Sequence, residues 1–386
     1  MNKKPVVLDA RVLTGSGGGP DKTIINSPRY LDAEGYRMIC VYLRHPADIG
    51  FESLRAKAAR RGVELLTVAD HGPFDWRVIP RLVHICQREK VSIWHGHDYK
   101  TNALGLVLAQ LYPLRLVTTV HGWVQHTSRT PLYYLIDRLS LRFYERIICV
   151  SQDLDEACRK AGVPRHKRSV LENGIELDEC ARQHSIAEAK QSQGIPTQRL
   201  VVGAAGRLSS EKGFAELISA VAQLLRAGTD LELRIAGEGA LRAQLQQQID
   251  GLHLSEKIHL VGFQHDMRAF YEPLDLFVLS SLREGLPNVL LEAMAYETPV
   301  LATRVNGVPD LLAGYRHGRL IEPGSVPALV HGLRSFLLDQ HLAPAGTSSG
   351  RAILESRFSF QQRMRKLRTI YDQLLGDRIH KRVDVV

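Results

Sequence analysis

The stretch LFVLSSLREGLPNVLLEAMAYETPVLAT, Leu276–Thr303, decides how this chain is read. Its first apolar run stops at Ser280 and Ser281, which predicts a short buried strand. Gly285 permits a tight loop, and Pro287 suits the first turn of a helix. PVLAT then begins a second apolar strand with no polar alternation. A strand–helix–strand unit whose strands are apolar on both faces is the repeat of a parallel sheet covered on both sides. Two carboxylates, Glu284 and Glu292, stand in this unit. On one continuous helix their spacing would span about 12 Å. With Glu284 in the loop, both can instead face one elongated ligand as acceptors for the paired hydroxyls of a ribose or hexose. Pairing of Glu292 with a lysine is the structural alternative.

The same alternation extends in both directions. VVLDARVL, YRMICVYL (Tyr36–Leu43), ELLTV, VSIWHGH, RLVTTVHG and RIICVS predict strands, with helices over Phe51–Arg61, Trp76–Glu89 and Pro131–Glu145. LVVGAAGRL, LELRIAG, IHLVG, LFVLSS, PVLAT and GRLIE form a second set, with helices over Gly213–Ala227 and Ala240–Gly251. Between the sets, IAEAKQSQGIPTQ (Ile186–Gln198) turns polar and predicts a linker. The reading is α/β: two Rossmann-like domains, residues 1–185 and 196–357, facing across a cleft. Residues 358–386 form a helix expected to cross back to the first domain, with Phe360, Met364, Leu367, Tyr371 and Leu374 at helical spacing. APAGTSSG (Ala343–Gly350) predicts a surface loop.

With 386 residues the chain can bury two cores. No segment approaches the roughly 20 apolar residues that span a bilayer. MNKKPVVLDARVL carries Asp9 and Arg11 inside its apolar stretch, so it reads as a first strand rather than a signal peptide, and a cytoplasmic protein is expected. Five scattered cysteines without a C-x-x-C pair argue against structural zinc and a disulfide framework. The net charge is +9, with basic residues spread along the chain and local clusters at RAKAARRG, RKAGVPRHKRS and RMRKLR. No nucleic-acid module accompanies these clusters. Solvated helix faces and contact with an anionic membrane are the two readings, and TSRTPLYYLIDRLSLRFYER (Thr127–Arg146) fits either a packed helix or peripheral membrane contact.

Open parallel sheets bind ligands in the loops after their strands. In TGSGGGPDKT, Gly17, Gly18 and Gly19 allow close backbone approach before a helix start, but the Gly-Lys-Ser/Thr ending of a Walker loop is missing. WHGHDYKTN places His95, His97 and Asp98 after a strand. TVHGWVQHT places His121 where it can donate a hydrogen bond to a substrate oxygen. Metal is not expected, because no further ligands follow at a recognisable spacing. GAAGRLSSEKGF offers Gly206, a rigid guanidinium on Arg207 and an ammonium on Lys212 just before a helix, which suits a diphosphate. The alternative is a surface loop in which Glu211 neutralises a cation. RIAGEGALRAQL sets Gly237 and Gly239 at a tight strand–helix junction. The letters DLD, Asp153–Asp155, fall at a helix start and read as a cap.

Together these loops resemble the bacterial family 4 glycosyltransferases, retaining enzymes of the GT-B architecture. EGLPNVLLE resembles that group's glutamate, seven residues, glutamate motif. GRLSSEKG precedes it, and the glycine-rich loop and VHG follow the expected order. The resemblance covers nearly the whole chain. It implies catalytic roles for His121, Arg207, Lys212 and Glu284. The implied donor-binding set is Gly17, Gly18, Gly19, Gly206, Arg207, Lys212, Gly237, Glu284, Gly285, Leu286, Pro287, Asn288 and Glu292. Arg207 and Lys212 would take the diphosphate, Glu292 the ribose, and Glu284 the transferred sugar. Gly19, His97 and His121 are the implied acceptor contacts. VNGVPD, with Asn306 and Asp310, departs from the usual paired glycines. The implied reaction moves a hexosyl group from a UDP- or GDP-sugar to a hydroxyl, without a cofactor or metal. Its acceptor would be a lipid-linked saccharide of lipopolysaccharide, capsule or exopolysaccharide synthesis at the inner membrane's cytoplasmic face. A sugar-nucleotide epimerase of related fold and a non-catalytic nucleotide-sugar-binding protein of an envelope-assembly complex are the alternatives.

Overall fold

The computed structural model describes residues 4–13, 19–121, 130–264, 266–338 and 349–383. The chain forms two compact units: Met1–Gly174 with Gln361–Val386, and Ile175–Phe360.

The first unit is built on strands β1 (Val6–Leu13), β2 (Arg37–Arg44), β3 (Leu65–Ala69), β4 (Val91–Gly96), β5 (Arg115–Val120), β6 (Arg146–Cys149) and β7 (Arg168–Val170). They pair in the order β3-β2-β1-β4-β5-β6-β7, all parallel. Side chains alternate between two cores, as a pleated strand requires. Along β2, Ile39, Val41 and Leu43 enter one core, while Cys40 and Tyr42 enter the other. This two-sided burial is why the strand sequences show no polar alternation.

The second unit repeats the plan with β8 (Leu200–Ala205), β9 (Leu231–Ala236), β10 (Ile258–Gly262), β11 (Leu276–Leu279), β12 (Val300–Thr303) and β13 (Gly318–Ile321). The order is β10-β9-β8-β11-β12-β13, again parallel. Phe277 and Leu279 join one core, Leu276 and Val278 the other. In each sheet the chain reverses its direction of travel once, between β1 and β4 and between β8 and β11. Such a switch point parts the adjacent strand-to-helix loops and leaves a crevice above the strand ends.

The division between units falls at Gly174/Ile175, ahead of the polar segment 186–198. That segment is instead part of the second unit. It holds the helix Ile186–Ser192, closed by a reciprocal cap between Ser185 and Glu188. Its Lys190 is buried and paired with Asp275 at 2.6 Å. The polar composition is the outer face of a capped helix. The Ala343–Gly350 loop lies outside the described residues except at its last two positions.

Residues 361–383 return to the first unit on the helix Phe360–Val383. Phe360, Met364, Leu367, Tyr371 and Leu374 are all buried. Tyr371 shares a hydrogen bond with His95 Nδ1 at 2.6 Å. Tyr36 donates to Asp372 at 2.6 Å, and Arg368 bonds Glu34. At the two ends of the second unit, Ile175 N donates to Phe358 O, and Phe360 N to Ile175 O. The cap of the helix Gln152–Lys160 is Ser151, with Asp153 and Asp155 in the first turn. Asp155 serves to pair the buried Arg168.

Candidate functional site

The switch point of the second unit is closed by backbone contacts that only glycine allows. At Gly237, with φ +136°, a Cβ would lie 1.9 Å from the Gly206 carbonyl oxygen. Gly213, with φ +63°, would place a Cβ 2.1 Å from the Ser280 carbonyl oxygen. The loop after β8 therefore lies directly on the loop after β11. Ser280 Oγ donates to the Lys212 carbonyl at 2.8 Å, and Leu282 N to the Glu211 carbonyl at 2.8 Å.

This seam brings Lys212 Nζ to Glu284 Oε1 at 2.7 Å. Ser281 Oγ donates to the same oxygen at 2.6 Å. Asn306 Nδ2 donates to the Glu284 carbonyl, so the residue that departs from a second glycine braces this loop. Glu284 is nearly buried and Lys212 partly exposed. Beside them begins the helix Phe214–Arg226, whose first turn has no side-chain cap. Uncapped amides and the helix dipole favour an anion there. Arg207 is exposed, and among the described residues no carboxylate or carbonyl holds its guanidinium. The loop thus gathers two cations and free amides, with a carboxylate to orient one cation.

Pro287 stands at the N-cap rather than within the helix, which runs Asn288–Ala295. Its φ of −75° with ψ of 109° makes the turn from loop to helix. Leu286 packs on the core. Gly285 is exposed, and its carbonyl lies 3.8 Å from where a Gly307 Cβ would be. Asn288 Oδ1 is buried without a hydrogen-bond partner among the described residues. Tyr271, whose ring stacks on Tyr296, donates to Glu292 Oε2 at 3.1 Å and lies 2.9 Å from the Val289 carbonyl. A lysine–carboxylate pair is present at Glu284, with Lys212.

A second cluster sits at the switch point of the first unit. Asp9, in the middle of β1, accepts from His97 Nε2. His97 Nδ1 lies 2.9 Å from His121 Nε2. His95 stacks on His97, with ring centroids 4.6 Å apart, and its two nitrogens meet Tyr371 and Thr119. Both ring nitrogens of His97 are thus occupied inside the unit, and His97 is buried. Asp98 accepts from the amides of Lys100 and Thr101 and closes a capping box for the helix Tyr99–Leu111. Gly19 opens the helix Gly19–Ala33. Gly17 and Gly18 lie outside the described residues.

Asp9, His95 and His97 bring ligand-type atoms within 4.8 Å of one another. Their nitrogens and Asp9 Oδ1 are already engaged in hydrogen bonds. The buried guanidinium of Arg363 acts on Asp9, His95 and His121. A cation would have to displace those bonds against that charge, so the trio is better described as a hydrogen-bonded network. Burial would raise the Asp9 carboxyl, but the electrostatic attraction and hydrogen bond of the His97 Nε2–H bring it below the usual range. Burial, then the repulsion that would arise if His95 and His97 both took a proton, pushes His95 down to about 3. The same two causes carry His121 well below the ordinary histidine range.

These shifts have a sign in stability. Unfolded histidine takes a proton near pH 6.5, while buried His95 does not, so the unfolded state binds more protons as pH falls. Stability is expected to drop by about 1.4 kcal/mol per pH unit for each such histidine, from about pH 6.5 downward. His95→Gln should flatten the fall in Tm between pH 6.5 and 5. An identical slope in both proteins would remove His95 as its cause.

Sequence reading missed Asp9, Thr119, Tyr271, Ser281, Arg363 and Tyr371 as site neighbours. A carboxylate in the middle of an apolar strand was the available signal for Asp9. Arg363 looked like part of a solvated basic run, yet it is buried.

Two family models match the chain in succession: Glycosyltransferase Family 4 over residues 17–179 and Glycosyl transferases group 1 over residues 185–351. The chain is 26% identical to the capsular polysaccharide biosynthesis glycosyltransferase CapM of Staphylococcus aureus, over 78% of this chain and 82% of that protein. It is 25% identical to the UDP-Gal:alpha-D-GlcNAc-diphosphoundecaprenol alpha-1,3-galactosyltransferase of Escherichia coli, over 77% of this chain and 79% of that one. Among solved structures, Anabaena HepE in complex with UDP-glucose is similar in fold. Its TM-score is 0.80 at 22% identity, covering 96% of this chain and 100% of that one.

Proposed function

This chain belongs to the family 4 glycosyltransferases of GT-B architecture, and from that premise we propose that it is a retaining hexosyltransferase. It moves a hexosyl group from a UDP- or GDP-sugar to a hydroxyl of a lipid-linked saccharide in bacterial envelope polysaccharide synthesis. The observation that carries this reading is the Lys212–Glu284 pair, set beside exposed Arg207 and an uncapped helix start. The names of the two relatives above, a capsule enzyme and a diphosphoundecaprenol galactosyltransferase, support the pathway.

As the glycosidic bond breaks, negative charge grows on the departing diphosphate. Lys212, Arg207 and the first-turn amides of Phe214–Arg226 stabilise that charge, so their contribution is largest in the transition state. Glu284 holds the ammonium with Oε1 and offers Oε2 to a hydroxyl of the transferred sugar. Glu292, anchored by Tyr271, accepts from the ribose hydroxyls. The acceptor oxygen bonds to the anomeric carbon on the face that the diphosphate leaves. Its proton passes to a leaving phosphate oxygen, which preserves configuration without an enzymic nucleophile.

Titration with UDP-, GDP- and ADP-sugars tests the reading. One nucleotide class should bind, and transfer to a lipid-linked acceptor panel should follow. Glu292→Ala should raise the donor KM about 10-fold or more, with turnover changed far less. An unchanged donor KM would sink the ribose role.

Contact with the membrane has its own support. Leu135, Leu139 and Phe143 are exposed at a spacing of four, on and just beyond the helix Thr130–Leu141. Arg142 and Lys167 meet nearby, through Lys167 Nζ and the Arg142 carbonyl. An apolar stripe bordered by cations suits the anionic leaflet. Vesicles rich in anionic phospholipid should bind the protein at low salt and release it at high salt. Leu139→Ser with Phe143→Ser should weaken binding several-fold. Equal binding to neutral vesicles would count against it.

A further inference from the structure

We infer that Asp9 and His97 are positioning residues that hold His121 in one tautomer, with Nε2 protonated and Nδ1 bare, so that His121 accepts a hydrogen bond from a substrate hydroxyl. This rests on the transferase reading only for the identity of that hydroxyl. The tautomer itself follows from the network.

The chain of donors is fixed at its buried end. Asp9 lies wholly inside the first unit. As a carboxylate it can only accept, so the hydrogen between its Oδ1 and His97 Nε2 belongs to His97. His97 is left with Nδ1, which faces His121 Nε2 at 2.9 Å. One hydrogen occupies that gap. If it sat on His97, the imidazole would carry a charge. Arg363 is already a buried cation acting on Asp9, and a second would leave two positive charges against one carboxylate. Arg11 adds further positive potential at His121. Tyr371 and Thr119, the other groups packed here, bond His95 and not this chain. The hydrogen therefore belongs to His121 Nε2. The rings of His97 and His121 stack with centroids 5.2 Å apart, which resists a ring flip that would exchange the nitrogens. His121 is half-buried at the end of β5, and no protein group takes its Nδ1 among the described residues. Sequence reasoning expected His121 to donate; the network makes it an acceptor.

The logic parallels a catalytic triad, in which a buried carboxylate selects the histidine tautomer and its amide isostere selects the wrong one. In Asp9→Asn the amide can donate to His97 Nε2. The hydrogen at His97 then moves to Nδ1, and His121 must turn its lone pair inward and its N–H outward.

The test has two arms. Long-range ¹⁵N–¹H correlation spectra of the full chain at neutral pH, without substrate, should show His121 protonated at Nε2 and bare at Nδ1. A His121 protonated at Nδ1 would overturn the inference whatever the protein's activity, and this arm needs no variant to fold. In the second arm, Asp9→Asn should reverse the tautomer and lower kcat on the order of 10–100-fold, with the donor KM within about two-fold. In a His121→Ala background it should cost nothing further, because Asp9 acts through His121. An additive loss would make Asp9 a structural residue and sink its positioning role. If the unmodified protein shows the expected tautomer but transfers no sugar, the transferase reading fails and the tautomer assignment stands.

Discussion

Lys212→Ala is expected to lower turnover on the order of 10²–10³-fold, the usual loss when one preorganised donor to a developing charge is removed. The donor KM should change much less, since the diphosphate gains charge mainly as the bond breaks. The substitution also leaves Glu284, 8% exposed, without its cation. Because Lys212 is itself partly exposed, that should cost only about 1–3 kcal/mol of stability. The two effects separate in the Lys212→Ala, Glu284→Gln double variant. Neutralising Glu284 should recover Tm but not turnover. Recovery of turnover together with Tm would mean that Lys212 merely holds its loop. Normal turnover in the single variant would end the assignment of the diphosphate to this site.

The second large effect concerns backbone alone. Gly213→Ala introduces a single methyl group, yet the methyl would lie 2.1 Å from the Ser280 carbonyl oxygen on a left-handed backbone. Neither atom belongs to a flexible side chain, so the loops after β8 and β11 must part. A loss of about 3 kcal/mol is expected from the clash and the strained φ together. Donor binding should weaken with it, because the same seam places Lys212 against Glu284. Gly35→Ala serves as the comparison. Gly35 also has a positive φ, 91°, but nothing lies within 4 Å of its Cβ position, so it should lose only about 1 kcal/mol and bind donor normally. Equal stability losses would show that conformational strain, not contact between the loops, dominates at Gly213.

The fold was legible because its strands are buried on both faces, and continuous apolar runs are an unambiguous record of that. The helix face Phe360, Met364, Leu367, Tyr371 and Leu374 was legible for a similar reason, since its spacing is local. The site was legible only in its local part. Arg207, Lys212, Glu284 and Glu292 were found by loop chemistry, but not which cation meets which carboxylate. Lys212 and Glu284 are 72 positions apart, and their meeting depends on the strand order β8-β11. Asp9 and His97, 88 positions apart, depend in the same way on β1 lying beside β4. Nothing local announces such partners. The Ile186–Gln198 segment misled for the opposite reason. Its local composition is polar, but the one lysine that matters, Lys190, turns inward to Asp275.

The return of the chain to its first unit has a consequence for synthesis. Translation delivers residues 1–174 first, yet the pieces that complete their fold, Arg363 and Tyr371, are made after the whole second unit. N-terminal domains usually fold first as they emerge. Here that order is reversed for the final step: residues 175–360 can close upon themselves while the earlier sheet still waits with His95 and its neighbours uncovered. A nascent chain halted near residue 360 should hence present a folded second unit and a protease-sensitive, chaperone-accessible first one.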